Sequence, residues 1–157
     1  MKDNHKVWLA GIIGTVLFSL MMDLAPILRA PHLNVALWDG SFITLNLKIA
    51  LIVGYGLQFL IGVGLAALYR RYWAQGSTNP ALKGLLFGVA TWVVFMAIGL
   101  PIFDRISPLV QNGLMLGPGP FLWRMGLTAS LTWLIASLLF GSTVGYIIQE
   151  PANVISH

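Results

Sequence analysis

Hydrophobic positions along the chain fall into four long runs, at about Val7 to Leu28, Leu47 to Tyr69, Leu85 to Phe103 and Met125 to Ile148. Between them, Asp, Asn, Gly, Pro and Arg gather. Each run is close to the ~20 residues that span ~30 Å of hydrocarbon. A bilayer core offers no water to backbone amides, so such runs must satisfy their own hydrogen bonds as α-helices. The expected fold is all-α: an integral membrane four-helix bundle, one transmembrane domain over residues 1–157, readable as two repeated helical hairpins.

Two of the runs carry a proline near one end. In MMDLAPILRAP the first helix is expected to kink or stop around Pro26, and the third to end at Gly99 and Pro101. Laying the first two helices over the last two brings Pro26 onto Pro101 and Arg29 beside Arg105, the pattern of a duplication whose halves share one orientation. The long connections, Ala30 to Asn46 and Asp104 to Arg124, are amphipathic, with Leu33, Val35, Leu37 and Trp38 in one and Leu109, Leu114, Leu116 and Phe121 in the other. Both are expected at the membrane interface. Gly117-Pro118-Gly119-Pro120 reads as a rigid turn before the fourth helix.

Composition narrows the class. Of 157 residues, 57% are hydrophobic and 9% charged, against roughly a quarter charged in ordinary soluble domains. The net charge of +4 comes from scattered Lys and Arg, never a run, which argues against nucleic-acid binding. Lys2, Lys6, Arg70, Arg71 and Lys83 fall on the side of both termini, against Arg29, Lys48, Arg105 and Arg124 on the other. The positive-inside rule then places both termini in the cytoplasm, in a multi-pass protein of the bacterial inner membrane. The first run is long and lacks a small-x-small cleavage pattern, so it reads as a retained helix. No cysteine is present, which removes disulfides and thiolate metal sites.

Lipid-facing helices gain little from the hydrophobic effect against one another, so small residues that permit close approach are the expected contacts. Gly84 and Gly88 supply them on the third helix, and Ser137, Gly141 and Gly145, four apart, on the fourth. Gly54, Gly62 and Ala66 do so on the second, Ala10 and Gly14 on the first. Trp8, Trp38, Tyr69, Tyr72, Trp73, Trp123 and Tyr146 sit near helix ends, as an aromatic belt requires, while Trp92 and Trp133 lie deeper.

Candidate chemistry is sparse. Asp23 is the only acidic residue inside a run, and an ionised carboxylate there needs a partner or water. Arg29, Arg105 and Arg124 fall toward the same membrane face, with Asp104 offering a second pair, so an ion-pair site of Asp23, Arg29, Asp104, Arg105 and Arg124 is expected. The histidines at 5, 32 and 157 lie outside the runs, so neither a metal site nor an axial haem pair is expected. No phosphate loop, HExxH or GxSxG pattern occurs. A membrane enzyme acting on lipid or quinone would need His32, Asp39 and Asp104 to converge. No catalytic residue and no cofactor is expected.

The stretch from Gly11 to about Gly54, including MMDLAPILRAPHLNVALWDGS, together with Gly56-Leu57-Gln58-Phe59, Gly62 and Gly64, Lys83-Gly84-Leu85-Leu86-Phe87-Gly88 and the Gly117-Pro118 turn, resembles an uncharacterised family of small bacterial four-helix membrane proteins, a domain of unknown function. The resemblance implies a fold and a membrane address and carries over no catalytic residue. Asp23 and Arg29 depart from it, being polar where apolar or small residues are expected. The function expected is that of an accessory or structural subunit of a larger bacterial membrane complex, in respiratory or photosynthetic electron transport, binding lipid and other integral membrane subunits. The competing class is a small oligomeric transporter or channel using Asp23.

Overall fold

A computed structural model describes residues 2–75 and 79–149. Among them every regular element is helical and four helices are long and apolar enough to cross a membrane, at Asn4–Asp23, Leu47–Tyr72, Pro80–Ile106 and Leu127–Ile148. The protein is a multi-pass, all-α membrane protein. In chain order the elements are α1 (Lys2–Asp23), a 3₁₀ turn (Ala25–Leu28), α2 (Val35–Ser41), α3 (Leu47–Tyr72), α4 (Pro80–Val94), a π turn (Phe95–Gly99), α5 (Leu100–Ile106), α6 (Pro108–Gln111), a second 3₁₀ turn (Pro120–Leu122) and α7 (Leu127–Ile148).

Side-chain caps start several of these helices. Asn46 Oδ1 accepts from the Lys48 and Ile49 amides at the head of α3, and Asn34 Oδ1 accepts from Leu37 at the head of α2. Asn79 Oδ1 accepts from Ala81 with Pro80 in the first turn of α4, five residues before the apolar run begins. Each cap satisfies amides that have no partner inside the helix.

The two prolines act differently. Before Pro26 the first helix stops at Asp23, five residues short of the apolar run's end, and Arg29 takes a left-handed conformation, φ 56°, after the 3₁₀ turn. Pro101, expected to end the third helix, sits inside it, and the helix runs on to Ile106. The preceding turn is widened: the Leu100 amide bonds to Phe95 O five residues back. A π turn makes room for the ring that would strike a normal helical carbonyl, so the chain continues.

Packing follows small residues. A side chain on Gly84 or Gly88 would strike the carbonyl oxygens of Gly141 and Ser137, and a Cβ on Gly145 would lie 2.6 Å from Pro80 O, so α4 and α7 run antiparallel with backbones almost touching. Helix α1 meets α3 where Gly11 faces Val63 and Gly62 faces Thr15, and meets α7 where Gly14 lies under the Phe140 ring. The Ala30–Asn46 connection turns α2 back onto the first turns of α3. Gly40 lies on Ala50 O there and Gly54 on Ala36 O, burying Val35, Ala36 and Trp38. Trp38, expected as a belt anchor, packs at a tilt against the Phe103 and Trp133 rings in the core, and Tyr69 is fully buried with its hydroxyl donating to Gln149 Oε1 at 3.0 Å.

The close contact of α4 with α7 should be sensitive to any added side chain. Gly141→Leu is expected to lower unfolding stability by about 1–3 kcal/mol through overpacking. Gly56→Ala, on a face of α3 with nothing within 4 Å, should be neutral or gain about 0.5–1 kcal/mol. Thermal unfolding of both variants in one detergent checks this; equal losses would refute the packing.

Candidate functional site

The four long helices lie in the order α3, α1, α7, α4, since α1 packs on both α3 and α7 and α7 packs on α4. A closed bundle of two antiparallel hairpins would also press α3 against α4. Here the two outer helices hardly touch along their length. They meet at one end only, where the Phe87 ring lies 5.2 Å from Tyr69 and 5.6 Å from Trp73.

Between them lies a cavity of about 520 Å³. Its floor is Thr15 and Phe18 of α1 with Trp133, Ser137 and Phe140 of α7, and its walls are Gln58, Ile61 and Leu65 of α3 against Ala90, Val94 and Phe95. Trp73 closes the aromatic end, and Val35 and Asp39 of α2 close the other. The rim is open sideways, with Ile61 and Ile98 more than half exposed. Phe95 stacks on Trp133 at 5.0 Å and Phe18 meets Trp133 edge-on at 5.7 Å, so the α2 end carries an aromatic cluster. The hydroxyls of Thr15 and Thr91 are satisfied by carbonyls of their own helices, Gly11 O at 2.7 Å and Gly88 O at 2.9 Å. They add little polarity to the cavity.

Among the described residues, Asp39 is the only ionisable one on this lining. It belongs to α2, between the first and second spans, and among the described residues no hydrogen bond or ion pair reaches its carboxylate. Burial lifts its pKa from 3.8 to about 7. The charged form is disfavoured because nothing there replaces water.

The expected ion-pair site is not one site. Asp23, at the end of α1, lies 3.8 Å from His32 Nε2, with both side chains half exposed, and no ion pair joins it to Arg29, Arg105 or Arg124. Arg29 and Arg105 are exposed. Asp104 and Arg124 do come together, at 3.9 Å. The Asp104 carboxylate accepts from the Gly119 amide at 3.0 Å, while Arg124 donates to Gly117 O at 3.3 Å. This pair clasps a loop strained by positive φ at Phe121 and Leu122. Its geometry is that of a structural tie. His32, Asp39 and Asp104 therefore occupy three different settings, and no group of three or more His, Asp or Glu suited to a metal forms among the described residues.

Compared with known proteins, the chain matches no family model, no curated protein and no solved structure.

From the sequence Asp39 stands out only as a loop residue grouped with His32 and Asp104, because WDGSF lies outside every apolar run. Only Gly40, whose close contact with Ala50 turns α2 inward, hints that the segment is packed. The raised pKa has a definite sign for stability. The folded protein holds a proton on Asp39 that the unfolded chain has released between about pH 4 and pH 7, so stability is greatest below that window and falls as pH rises through it. Unfolding temperatures measured at pH 5 and pH 8 should drop more in the wild type than in Asp39→Asn, a difference of order 1 kcal/mol after allowing for residual solvent access. Identical drops would remove burial as the cause.

Proposed function

We propose that this chain is a non-enzymatic accessory subunit of a larger bacterial membrane complex, and that its working surface is the lateral groove between α3 and α4. The observation that carries the reading is the missing α3–α4 contact, which leaves an apolar cavity of about 520 Å³ opening sideways. Cavities of 300–1,000 Å³ with apolar walls suit chain-like or drug-sized molecules. A lipid tail from the surrounding bilayer fits such a space and completes the contact the helices lack. The outer face of α3, with Gly56 and Gly64 uncovered and Leu60 exposed, then offers close approach to a helix of another subunit.

The host belongs, in this proposal, to respiratory or photosynthetic electron transport, in the cytoplasmic membrane with both termini inside, as the charge distribution favours. Kinship with the small four-helix bacterial membrane proteins is part of the same proposal. The transporter reading built on Asp23 has no comparable support, because Asp23 faces His32 and is not on the groove lining.

Photoreactive side chains at adjacent positions test the reading in native membranes. At Leu60, on the outer face, illumination should give one discrete protein adduct; at Ile61, on the groove wall, it should give lipid-sized adducts. If Leu60 yields no protein adduct and the chain leaves mild detergent as a lone monomer, the accessory-subunit reading fails.

A further inference from the structure

The groove has a chemically marked end. We propose that it selects single-chain amphiphiles with a protonated amine headgroup, the alkyl tail lying between α3 and α4 and the ammonium meeting Asp39. This rests on the groove reading above and adds the identity of the headgroup.

Size comes first. A transmembrane helix, ~10 Å across and ~30 Å long, displaces on the order of 2,000 Å³, about four times the 520 Å³ available. A whole helix cannot lie inside the groove, whereas one alkyl chain can. The body of the cavity is made of Ile61, Leu65, Ala90, Val94 and Phe140, surfaces that recognise hydrocarbon and nothing more specific.

Charge selects the head. Asp39 ends this apolar space, and among the described residues no Lys, Arg or His lines the cavity and no partner neutralises the carboxylate. A carboxylate that is mostly buried and unpaired gains from a cation brought by the occupant. Phe18, Phe95 and Trp133 line the cavity with it, and aromatic rings favour a cation over an anion, the same charge that the carboxylate favours. A fatty acid or other anionic head would meet Asp39 with like charge. A neutral alcohol would gain the tail contacts alone.

Access is lateral. Ile61 and Ile98 at the rim are 53% and 56% exposed, so an amphiphile dissolved in the bilayer can enter between the helices without crossing the protein.

Native mass spectrometry of the intact chain in maltoside detergent at pH 8, with dodecylamine, dodecan-1-ol and dodecanoate as probes, tests the idea. Dodecylamine should be retained at roughly tenfold lower concentration than dodecan-1-ol, the scale of one charge-assisted contact. Asp39→Asn should erase that preference while leaving alcohol binding unchanged. Ala90→Phe, which fills the groove and keeps the carboxylate, should lose both ligands, with its unfolding temperature confirming that it folds. Equal retention of amine and alcohol by the wild type, or an amine preference that survives Asp39→Asn, overturns the headgroup proposal and leaves the groove standing. Binding of neither probe, or binding unaffected by Ala90→Phe, overturns the groove reading and the headgroup proposal together. Should Asp39→Asn not fold, the wild-type amine-to-alcohol comparison still decides.

Discussion

Helices whose outer surfaces are solvated by lipid tails gain little by hiding apolar area from one another, and what holds them is how closely their backbones can approach. In this chain that closeness is greatest along α4 and α7, where Gly84 and Gly88 lie on the carbonyls of Gly141 and Ser137 and Gly145 lies on that of Pro80. The rest of the arrangement depends on it. With α7 clamped to α4 on one side and to α1 on the other, α3 joins the other long helices mainly through α1. Helices α3 and α4 become the two edges of a row, and the space between them is the groove.

The same principle explains why the groove stays open. Along its interior, α3 presents Ile61 and Leu65, and α4 and the π turn present Val94 and Phe95, side chains too large for backbone contact. The edges touch only where the Phe87 ring reaches Tyr69 and Trp73. At the opposite end α2 is drawn in by the contacts of Gly40 and Gly54, and it carries Asp39 with it. An ionisable group thereby comes to line an otherwise apolar space.

How far this could be read from residues alone depends on the range of each cause. Membrane-spanning helices are a local property of about 20 residues, so the four crossings were legible. The spacings of Gly84, Gly88, Ser137, Gly141 and Gly145 were legible as small-residue faces as well, and these faces meet. Pro101 misled, because its effect depends on whether the preceding turn can widen, and the Phe95–Gly99 turn does. Asp23 looked like the residue to watch because it lies in an apolar run, yet α1 stops there and leaves it half exposed beside His32. Asp39 drew notice only beside His32 and Asp104, as one of three loop residues that would have to converge. Its position depends on α2 folding back against α3 and on which pair of helices fails to pack, and neighbour choice among four similar helices is not written in any single stretch of chain.

The open edge between α3 and α4 is the claim on which the functional account stands. The chain has no cysteine, so an engineered pair at Ile61 and Val94, on opposite walls, reports on that gap alone. A disulfide requires the two Cα atoms to come within about 7 Å. The account predicts that mild oxidation in native membranes leaves this pair unjoined, while a bis-maleimide with a spacer of roughly twice that reach bridges it. Rapid disulfide formation across Ile61→Cys and Val94→Cys would show the bundle closed and contradict the account.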